Sequence, residues 1–172
     1  SFGYHYGVRR NEDKCIIYRG DTPNGTLNDA SVDASSGNVN LNCNPGVWLL
    51  KNVNTMRIVV GLDTNYNQDD CNKTQQACQS GDTDADVCDI ENFPLQKWVA
   101  VNITMRNNVI DVFFNGTLMK SCILKGYPIM TNGDMLICPD GGFNGHVSNL
   151  KFSSKALSVK KIKSLYKSGP TL

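Results

Sequence analysis

The stretch 98–124, WVAVNITMRNNVIDVFFNGTLMKSCIL, decides which fold the rest of the chain has to complete. Its residues alternate between apolar and polar with a period of two, which is typical of β-strands that bury one face. In the first run the apolar positions are Val99, Val101, Ile103 and Met105. In the second run they are Ile110, Val112 and Phe114. The stretch therefore begins with two strands that each have one apolar face.

A two-residue turn at Asn107-Asn108 fixes how these two strands pair. It places Val101 opposite Phe114, so that the two apolar faces coincide, and asparagine tolerates the positive φ of a type I′ turn. A slip of one residue would turn one apolar set toward solvent. We therefore predict an antiparallel hairpin with a well-specified register.

A second two-residue turn at Asn115-Gly116 leads into a third strand, with Asp111 predicted to lie opposite Lys120 on the outer face. Asn115 also opens an N-glycosylation sequon, but the tight turn disfavours a glycan there. Asn102, on the outward face of its strand, is the better acceptor. Three consecutive strands form a meander whose buried face needs a second sheet to cover it.

The rest of the chain adds more short strands and one helix. Strand-like runs occur at 2–8, 14–19, 47–50 and 56–62, and 134–153 reads as strand, turn and strand. Many short strands between Gly, Asn and Asp turns indicate an all-β sandwich. Near the end, Ser158 can cap a helix, a stripe of apolar residues follows, and Gly169 ends it; the stripe is Ile162, Leu165 and Tyr166.

The segment at about 63–92 differs from the rest because it is polar, acidic and rich in cysteine. We interpret it as a long loop inserted into a single domain that spans residues 1–172. Loops of this length are usually functional or constrained. It holds three of the seven cysteines, namely Cys71, Cys78 and Cys88.

The overall charge and hydropathy exclude some classes of function. The formal net charge is +1, which argues against a nucleic-acid or polybasic membrane binder. No apolar run approaches the ~20 residues that span a bilayer, so we expect no direct membrane insertion by this segment. Seven cysteines in a domain of this size indicate an oxidising compartment.

Cysteine spacing does not fix the disulfide connectivity. We favour Cys122–Cys138, which would tie the third meander strand to the next one, and a second pair within Cys71, Cys78 and Cys88. The latter three lack a C-x₂-C pair, so we do not expect zinc.

The carboxy-terminal half resembles the laminin-G-like branch of the concanavalin A-like lectin/glucanase superfamily. The resemblance rests on Trp98 opening a strand, on the hairpin at Asn115-Gly116, on a closing strand after Gly145, and on a short Ala-Leu-Ser helix that ends in Leu-Tyr. It covers roughly residues 92–169 and implies an antiparallel two-sheet jelly roll. The ICPDGGFNG wording is closest to versions in giant DNA viruses of algae and protists, where such domains look like virion-surface or minor capsid components.

The residues give little support for catalysis. Retaining glucanases need two carboxylates ~5 Å apart, and glucanases of this superfamily carry them in an E-x-D-x-x-E run. The nearest alternation here is Asp89 and Glu91, without the third acid. We therefore predict that the domain is not an enzyme and keep glycoside hydrolase as a distant alternative.

Two sets of side chains are candidates for ligand binding. Clustered carboxylates at a rim could hold Ca²⁺ through oxygen ligands, although an EF-hand loop is not formed; they are Asp69, Asp70, Asp82, Asp84 and Asp86. Tyrosine rings can stack on sugar faces, and the candidates are Tyr4, Tyr6, Tyr66 and Tyr127.

These observations lead to two principal hypotheses. The first is a non-catalytic module of a virion or cell surface that contacts other coat or cell-surface proteins. The second is a glycan-binding lectin module, with or without Ca²⁺. Both place the domain on a virion or outside the cell.

Overall fold

The computed structural model describes residues 13–20, 43–63, 83–129, 131–139 and 142–169, and omits the side chains of residues 63 and 83–85. The chain forms nine described strands and one described helix; the strands are β1 (Lys14–Gly20), β2 (Cys43–Leu49), β3 (Met56–Asp63), β4 (Thr83–Ile90), β5 (Val101–Arg106), β6 (Val109–Phe114), β7 (Thr117–Ile123), β8 (Tyr127–Pro128) and β9 (Met135–Ile137), and the helix is α1 (Val159–Lys167). The run at 2–8 lies outside the described residues.

Two antiparallel sheets make up the domain, as predicted. Sheet A has the order β4-β3-β2-β1-β9, with β8 pairing to β3, and sheet B has the order β5-β6-β7. The buried side chains between them come from both sheets and from the segment after β7; they are Val47, Met56, Ile58, Val60, Leu62, Cys88, Ile90, Ile110, Val112, Phe114 and Leu124. The apolar face of the meander is therefore covered by a second sheet.

The first hairpin has the predicted register. Val101 pairs with Phe114, and the pairing continues toward the turn, where Met105 pairs with Ile110. The turn asparagine Asn107 has a φ of +53°, which asparagine adopts at low cost. The local pattern of apolar residues was therefore sufficient to define this pair of strands.

The second hairpin has the predicted turn but not the predicted register. Asn115 and Gly116 have φ angles of +52° and +76°, as a type I′ turn requires. A shift between Val112 and Phe113 then places Asp111 opposite Ser121 instead of Lys120. The bulge adds one residue to β7, so that Lys120 lies opposite Val112. The predicted Asp111–Lys120 pair is therefore wrong.

Helix α1 packs on the outer face of sheet B. Gly116 lies beside the helix, since a Cβ there would be in van der Waals contact, at 3.5 Å, with Lys163 and with the Tyr166 ring. The Arg106 side chain donates to the Leu157 carbonyl at 3.2 Å. Ile162 is fully buried. The helix therefore covers a face that the alternation had marked as outward.

The predicted N-cap of α1 is present, since the backbone N–H of Lys161 donates to Ser158 Oγ at 3.4 Å. Replacing Ser158 by alanine leaves this N–H without its side-chain acceptor, and we expect the free energy of unfolding to fall by about 1 kcal/mol. Urea denaturation measures the change. Ser158→Asn should recover most of the loss, because asparagine also caps; equal losses in both variants would contradict the capping role.

The predicted loop at 63–92 contains a strand, because β4 occupies Thr83–Ile90. Of its described side chains, Cys88 and Ile90 are buried in the core between the sheets. The acidic residues of β4 interrupt the alternation of apolar and polar residues, so the sequence pattern did not predict a strand here. Residues 64–82 lie outside the part of the chain that the structure describes.

The predicted second strand of 134–153 is not formed: after β9, the described residues 142–153 are in no strand. The apolar residues Val147, Leu150 and Phe152 do not share one parity, so they cannot all face one side of a strand. Asn149 also has a φ of +57°, which breaks extended geometry.

The described disulfide joins Cys88 to Cys122, with 5.9 Å between their Cα atoms. The predicted Cys122–Cys138 pair is therefore wrong, and Cys138 is a free thiol. The bond connects β4 of sheet A to β7 of sheet B, an arrangement that needs β4 to be a strand. Cys71 and Cys78 lie outside the described residues.

Candidate binding surface

A group of apolar side chains stands out from the surface just before β5 and in the segment that follows β9. The exposed fraction is 53% for Trp98, 68% for Phe152, 41% for Leu150 and 40% for Val147. The Trp98 ring lies beside the His146 ring, with 6.5 Å between the centroids. We call these five residues the Trp98 surface.

Both segments of the Trp98 surface are held by contacts to the sheets. Behind Trp98, the Ala100 backbone N–H donates to Asn115 Oδ1 at 3.0 Å, which attaches the segment to the β6–β7 turn. At the other end, the Arg19 guanidinium lies 5.8 Å from the Phe152 ring centroid, and Arg19 Nε donates to the Gly133 carbonyl at 3.4 Å. The surface therefore extends from the start of sheet B to β1 of sheet A.

This arrangement suits recognition by contact. Tryptophan is enriched where few residues carry most of the binding energy, and Trp98 lies beside His146, which the exposed Val147, Leu150 and Phe152 follow in the same irregular segment. The exposed Lys97 and Lys151 flank the apolar residues in sequence. An apolar centre with a charged rim is the usual composition of a protein interface.

Asp89, one of the two carboxylates nearest to the glucanase pattern, forms an ion pair with Arg57. Both oxygens of Asp89 accept from Arg57, from Nε and from Nη2, at 2.6 Å each. The hydrogen bond with Asp89 raises the pKa of Arg57 above its ordinary value. Both oxygens of Asp89 are therefore engaged by the guanidinium, whereas Glu91 is exposed.

Cys43 is a buried thiol on β2 and an unsuitable nucleophile. Its Sγ donates to the Val59 carbonyl at 3.7 Å, and burial raises the pKa of the thiol to about 11. Since the thiolate is the reactive form, Cys43 is chemically inert near neutral pH.

We expect Cys43 to resist iodoacetamide at pH 8 in the folded protein, since a pKa of about 11 leaves a thiolate fraction on the order of 0.001. Mass spectrometry of the labelled peptides, with and without urea, measures the reaction. Because burial disfavours the thiolate, the folded state keeps the Cys43 proton to a higher pH than the unfolded chain does. The free energy of unfolding should therefore fall as pH rises from about 9 to about 11. Equal labelling of Cys43 with and without urea would contradict the burial.

The predicted Ca²⁺ ligands are only partly described. Asp69, Asp70 and Asp82 lie outside the described residues, and of Asp84 only the backbone is described, in β4. Asp86 accepts backbone N–H groups from Val87 and Lys125 at 2.9 and 3.0 Å. The described ranges contain no group of three His, Cys, Asp or Glu side chains that would hold a metal, so the Ca²⁺ site remains a prediction.

The predicted sugar-stacking and glycosylation residues are dispersed. Tyr4, Tyr6 and Tyr66 lie outside the described residues, and Tyr127 is 52% exposed on β8, where it pairs with Asp63. Asn102 is half-buried on β5. The structure does not bring Tyr127 together with the other candidates, and glycosylation at Asn102 stays a prediction.

The alternating pattern did not indicate the Trp98 surface. Trp98 was predicted to open a strand, whereas β5 begins at Val101. The signal that indicates the surface is the loss of period two after Gly145, which places apolar side chains where no regular strand can bury them.

The domain is an antiparallel sandwich of two sheets that a disulfide joins. Residues 30–163 match the model of a laminin G-like family described as the concanavalin A-like lectin/glucanases superfamily. The match covers well over half of the chain. This protein therefore belongs to that family, as the carboxy-terminal motifs had indicated.

The solved structures that are similar to the chain include a toxin binding domain and an S-layer domain-containing protein. One is the botulinum neurotoxin serotype G binding domain, with 15% identity, a TM-score of 0.45, and coverage of 91% of this chain and 31% of that one. The other is an S-layer domain-containing protein (residues 221–444) from Clostridium thermocellum, with 12% identity, a TM-score of 0.32, and coverage of 96% and 69%. The chain thus spans about a third of the toxin domain's length. No curated protein matches.

In the part of the chain that the structure describes, no helix has both the length and the apolar character to cross a bilayer.

Proposed function

We propose that this domain is a non-catalytic interaction module that binds a protein partner through the Trp98 surface. The observation that carries the proposal is the exposure of Trp98, Leu150 and Phe152 at 41–68% on segments that the sheets hold in place. The surface combines aromatic with aliphatic side chains. Sugar sites use aromatic faces, whereas aliphatic residues beside them favour a protein partner.

The proposed location is a virion surface, as a minor capsid component, or a cell surface. The resemblance to versions in giant DNA viruses supports the virion. The disulfide Cys88–Cys122 supports an environment outside a reducing cytosol. Coat or cell-surface proteins are then the partners that such a domain meets.

A glycan-binding module is the second candidate. The tilted Trp98–His146 pair offers an aromatic platform on which a sugar ring can stack. In a Ca²⁺-dependent version, carboxylates of the segment 69–86 would supply oxygen ligands. Glycoside hydrolysis is a distant third, because Asp89 and Glu91 lack the third acid of the glucanase pattern and Asp89 is paired with Arg57.

The test places a photo-crosslinking amino acid at position 98 of the domain and irradiates it together with the coat or cell-surface proteins of its source. Position 118 is the control. Leu118 is 51% exposed on β7, so the control matches the exposure of Trp98 but lies outside the Trp98 surface. We expect position 98 to give an adduct with one coat or surface protein and position 118 to give none. Equal yields, or none at position 98, would contradict the proposal.

A glycan array with and without a chelator distinguishes the second candidate. A blank array is the expected result. Binding that Trp98→Ala abolishes would establish the lectin function, and its loss with chelator would add the Ca²⁺ requirement. Turnover of a β-glucan by the wild-type protein would overturn the non-catalytic assignment.

A further inference from the structure

Two stretches of the chain contain basic residues and no acidic ones. Residues 92–110, which include Trp98, hold Lys97 and Arg106, and residues 142–169 hold six lysines. The second stretch contains the rest of the Trp98 surface and all of helix α1. The charged side chains that these stretches place around the exposed apolar residues are therefore all cations.

Helix α1 runs toward the β6–β7 turn. Just before the helix, the Leu157 carbonyl accepts from the Arg106 side chain at 3.2 Å, at the end of β5 that is remote from this turn. Further along the helix, Lys163 and the Tyr166 ring lie beside the turn, since both are 3.5 Å from the position of a Cβ on Gly116. The carboxy-terminal half of the helix therefore lies at the turn.

The same turn holds the segment that carries Trp98. The Ala100 N–H donates to Asn115 Oδ1 at 3.0 Å, and the Asn115 N–H donates to the Ala100 carbonyl at 2.9 Å. Lys163 and this segment therefore meet at one turn. Lys167 follows Lys163 by about one turn of helix, and both are exposed.

Four exposed lysines thus border the Trp98 surface, and we call them the basic rim; they are Lys97, Lys151, Lys163 and Lys167. Lys97 and Lys151 are sequence neighbours of the exposed apolar residues, and the other two reach the surface through the helix. Within the described part of the chain, none of the four makes an ion pair. The basic rim is therefore open to acids from outside the domain.

The acids that border the two basic stretches are too few to reverse their sign. Glu91 precedes the first stretch and Asp111 follows it. Asp134 lies next to Gly133, whose carbonyl accepts from Arg19, so a further cation stands beside it. Eight basic residues in the stretches face three acids, and the field around the Trp98 surface is therefore positive.

We propose that the partner of the Trp98 surface binds it through an acidic segment of protein, in which Asp and Glu side chains surround an apolar or aromatic anchor. The inference rests on the function proposed above, because it specifies the partner of the same surface. Charge complementarity pairs the partner's acids with the basic rim, while the anchor covers the exposed Trp98 and Phe152 rings. A sulfated glycan would meet the lysines but would leave Val147 and Leu150 uncovered.

Selection from random peptides of about 12 residues tests the chemistry of the partner. A displayed library is bound to the wild-type chain after peptides that bind the Trp98→Ala variant have been removed. The recovered peptides should hold at least about two more acids than bases, together with an aromatic or large aliphatic residue. Recovered peptides that are neutral or basic would overturn the inference and leave the surface's function standing. Recovery of no Trp98-dependent peptide would contradict the proposed function itself.

Fluorescence anisotropy of one recovered peptide locates the contact. Lys163→Glu should weaken binding about fivefold or more. Lys125→Glu makes the same charge change at an exposed site and should leave the affinity within about twofold. This control lies at the opposite end of sheet B, because the preceding carbonyl of Leu124 accepts from Asn108. Equal weakening by both variants would show that net charge alone is responsible and would overturn the proposed contact.

A second variant serves if the helix variant does not fold. Lys97→Glu changes the basic rim without touching the helix and should also weaken binding, so an unchanged Kd would overturn the inference. Raising NaCl from about 0.1 M to about 1 M shortens the Debye length from about 10 Å to about 3 Å and should weaken the wild-type complex. An affinity that salt does not change would also count against the inference.

A labelled heparin fragment distinguishes a protein partner from an anionic glycan. We expect any heparin binding to be unaffected by Trp98→Ala, because sulfates need the lysines and not the ring. Heparin that binds more tightly than the recovered peptides, and only when Trp98 is present, would identify a sulfated glycan as the occupant and overturn the inference.

Discussion

Replacing both Cys88 and Cys122 by serine is expected to lower the free energy of unfolding by about 4 kcal/mol. The bond closes a loop between residues 34 positions apart, and its removal restores that conformational freedom to the unfolded chain. It also joins β4 to β7 and so connects the two sheets across the core. Among the covalent changes open to this domain, we expect this one to have the largest effect.

Urea denaturation of the double variant measures the loss. The wild type with reducing agent should show a similar change, and Cys138→Ser, which alters a free thiol, should leave stability nearly unchanged. A loss below about 1 kcal/mol in the double variant would mean that the bond does not restrict the unfolded chain as the loop-closure model requires.

Replacing Phe114 by alanine is expected to cost about 3–5 kcal/mol, as for other buried Phe→Ala changes. Phe114 is 4% exposed on β6, and its ring meets the Phe93 ring edge-on with 5.3 Å between centroids. Truncation would leave a cavity between the sheets and remove that aromatic contact.

Leu118→Ala is the matched control, because Leu118 is 51% exposed on the neighbouring strand. It should change stability by no more than about 0.5 kcal/mol. The slope of unfolding free energy against urea should be the same in both variants if the fold is retained. Similar losses for the two residues would contradict the packing of sheet A over the inner face of the meander.

The parts of the fold that the sequence predicted are those with local causes. The β5–β6 register follows from matching apolar faces across a two-residue turn, and Val101 pairs with Phe114 as that match requires. The helix follows from a cap, an apolar stripe and a terminal glycine, with Ser158 and Gly169 in these roles. Neighbours along the chain determine each of these features.

The parts that the sequence did not predict depend on distant residues. β4 is stabilised by full-length pairing with β3, which outweighs its acidic composition. The partner of Cys122 depends on which strand faces it from the other sheet, and that information is absent from cysteine spacing. The bulge in β7 opposite Val112 and Phe113 has no signal in the local pattern of apolar residues.

The candidate site was the least predictable feature, for the same reason. A tryptophan in an alternating run is usually packed, and its exposure depends on whether another segment covers it. Within the described part of the chain, the His146 ring lies alongside Trp98, and the segment after Gly145 forms no strand that would cover it.

Acrylamide quenching of tryptophan fluorescence tests most directly whether the Trp98 surface exists. The chain has two tryptophans, of which Trp48 is 5% exposed and Trp98 is 53% exposed. Most of the quenchable emission should therefore disappear in Trp98→Phe, while Trp48→Phe should keep it. If the two variants are quenched equally little, Trp98 is packed, and the proposed binding surface does not exist.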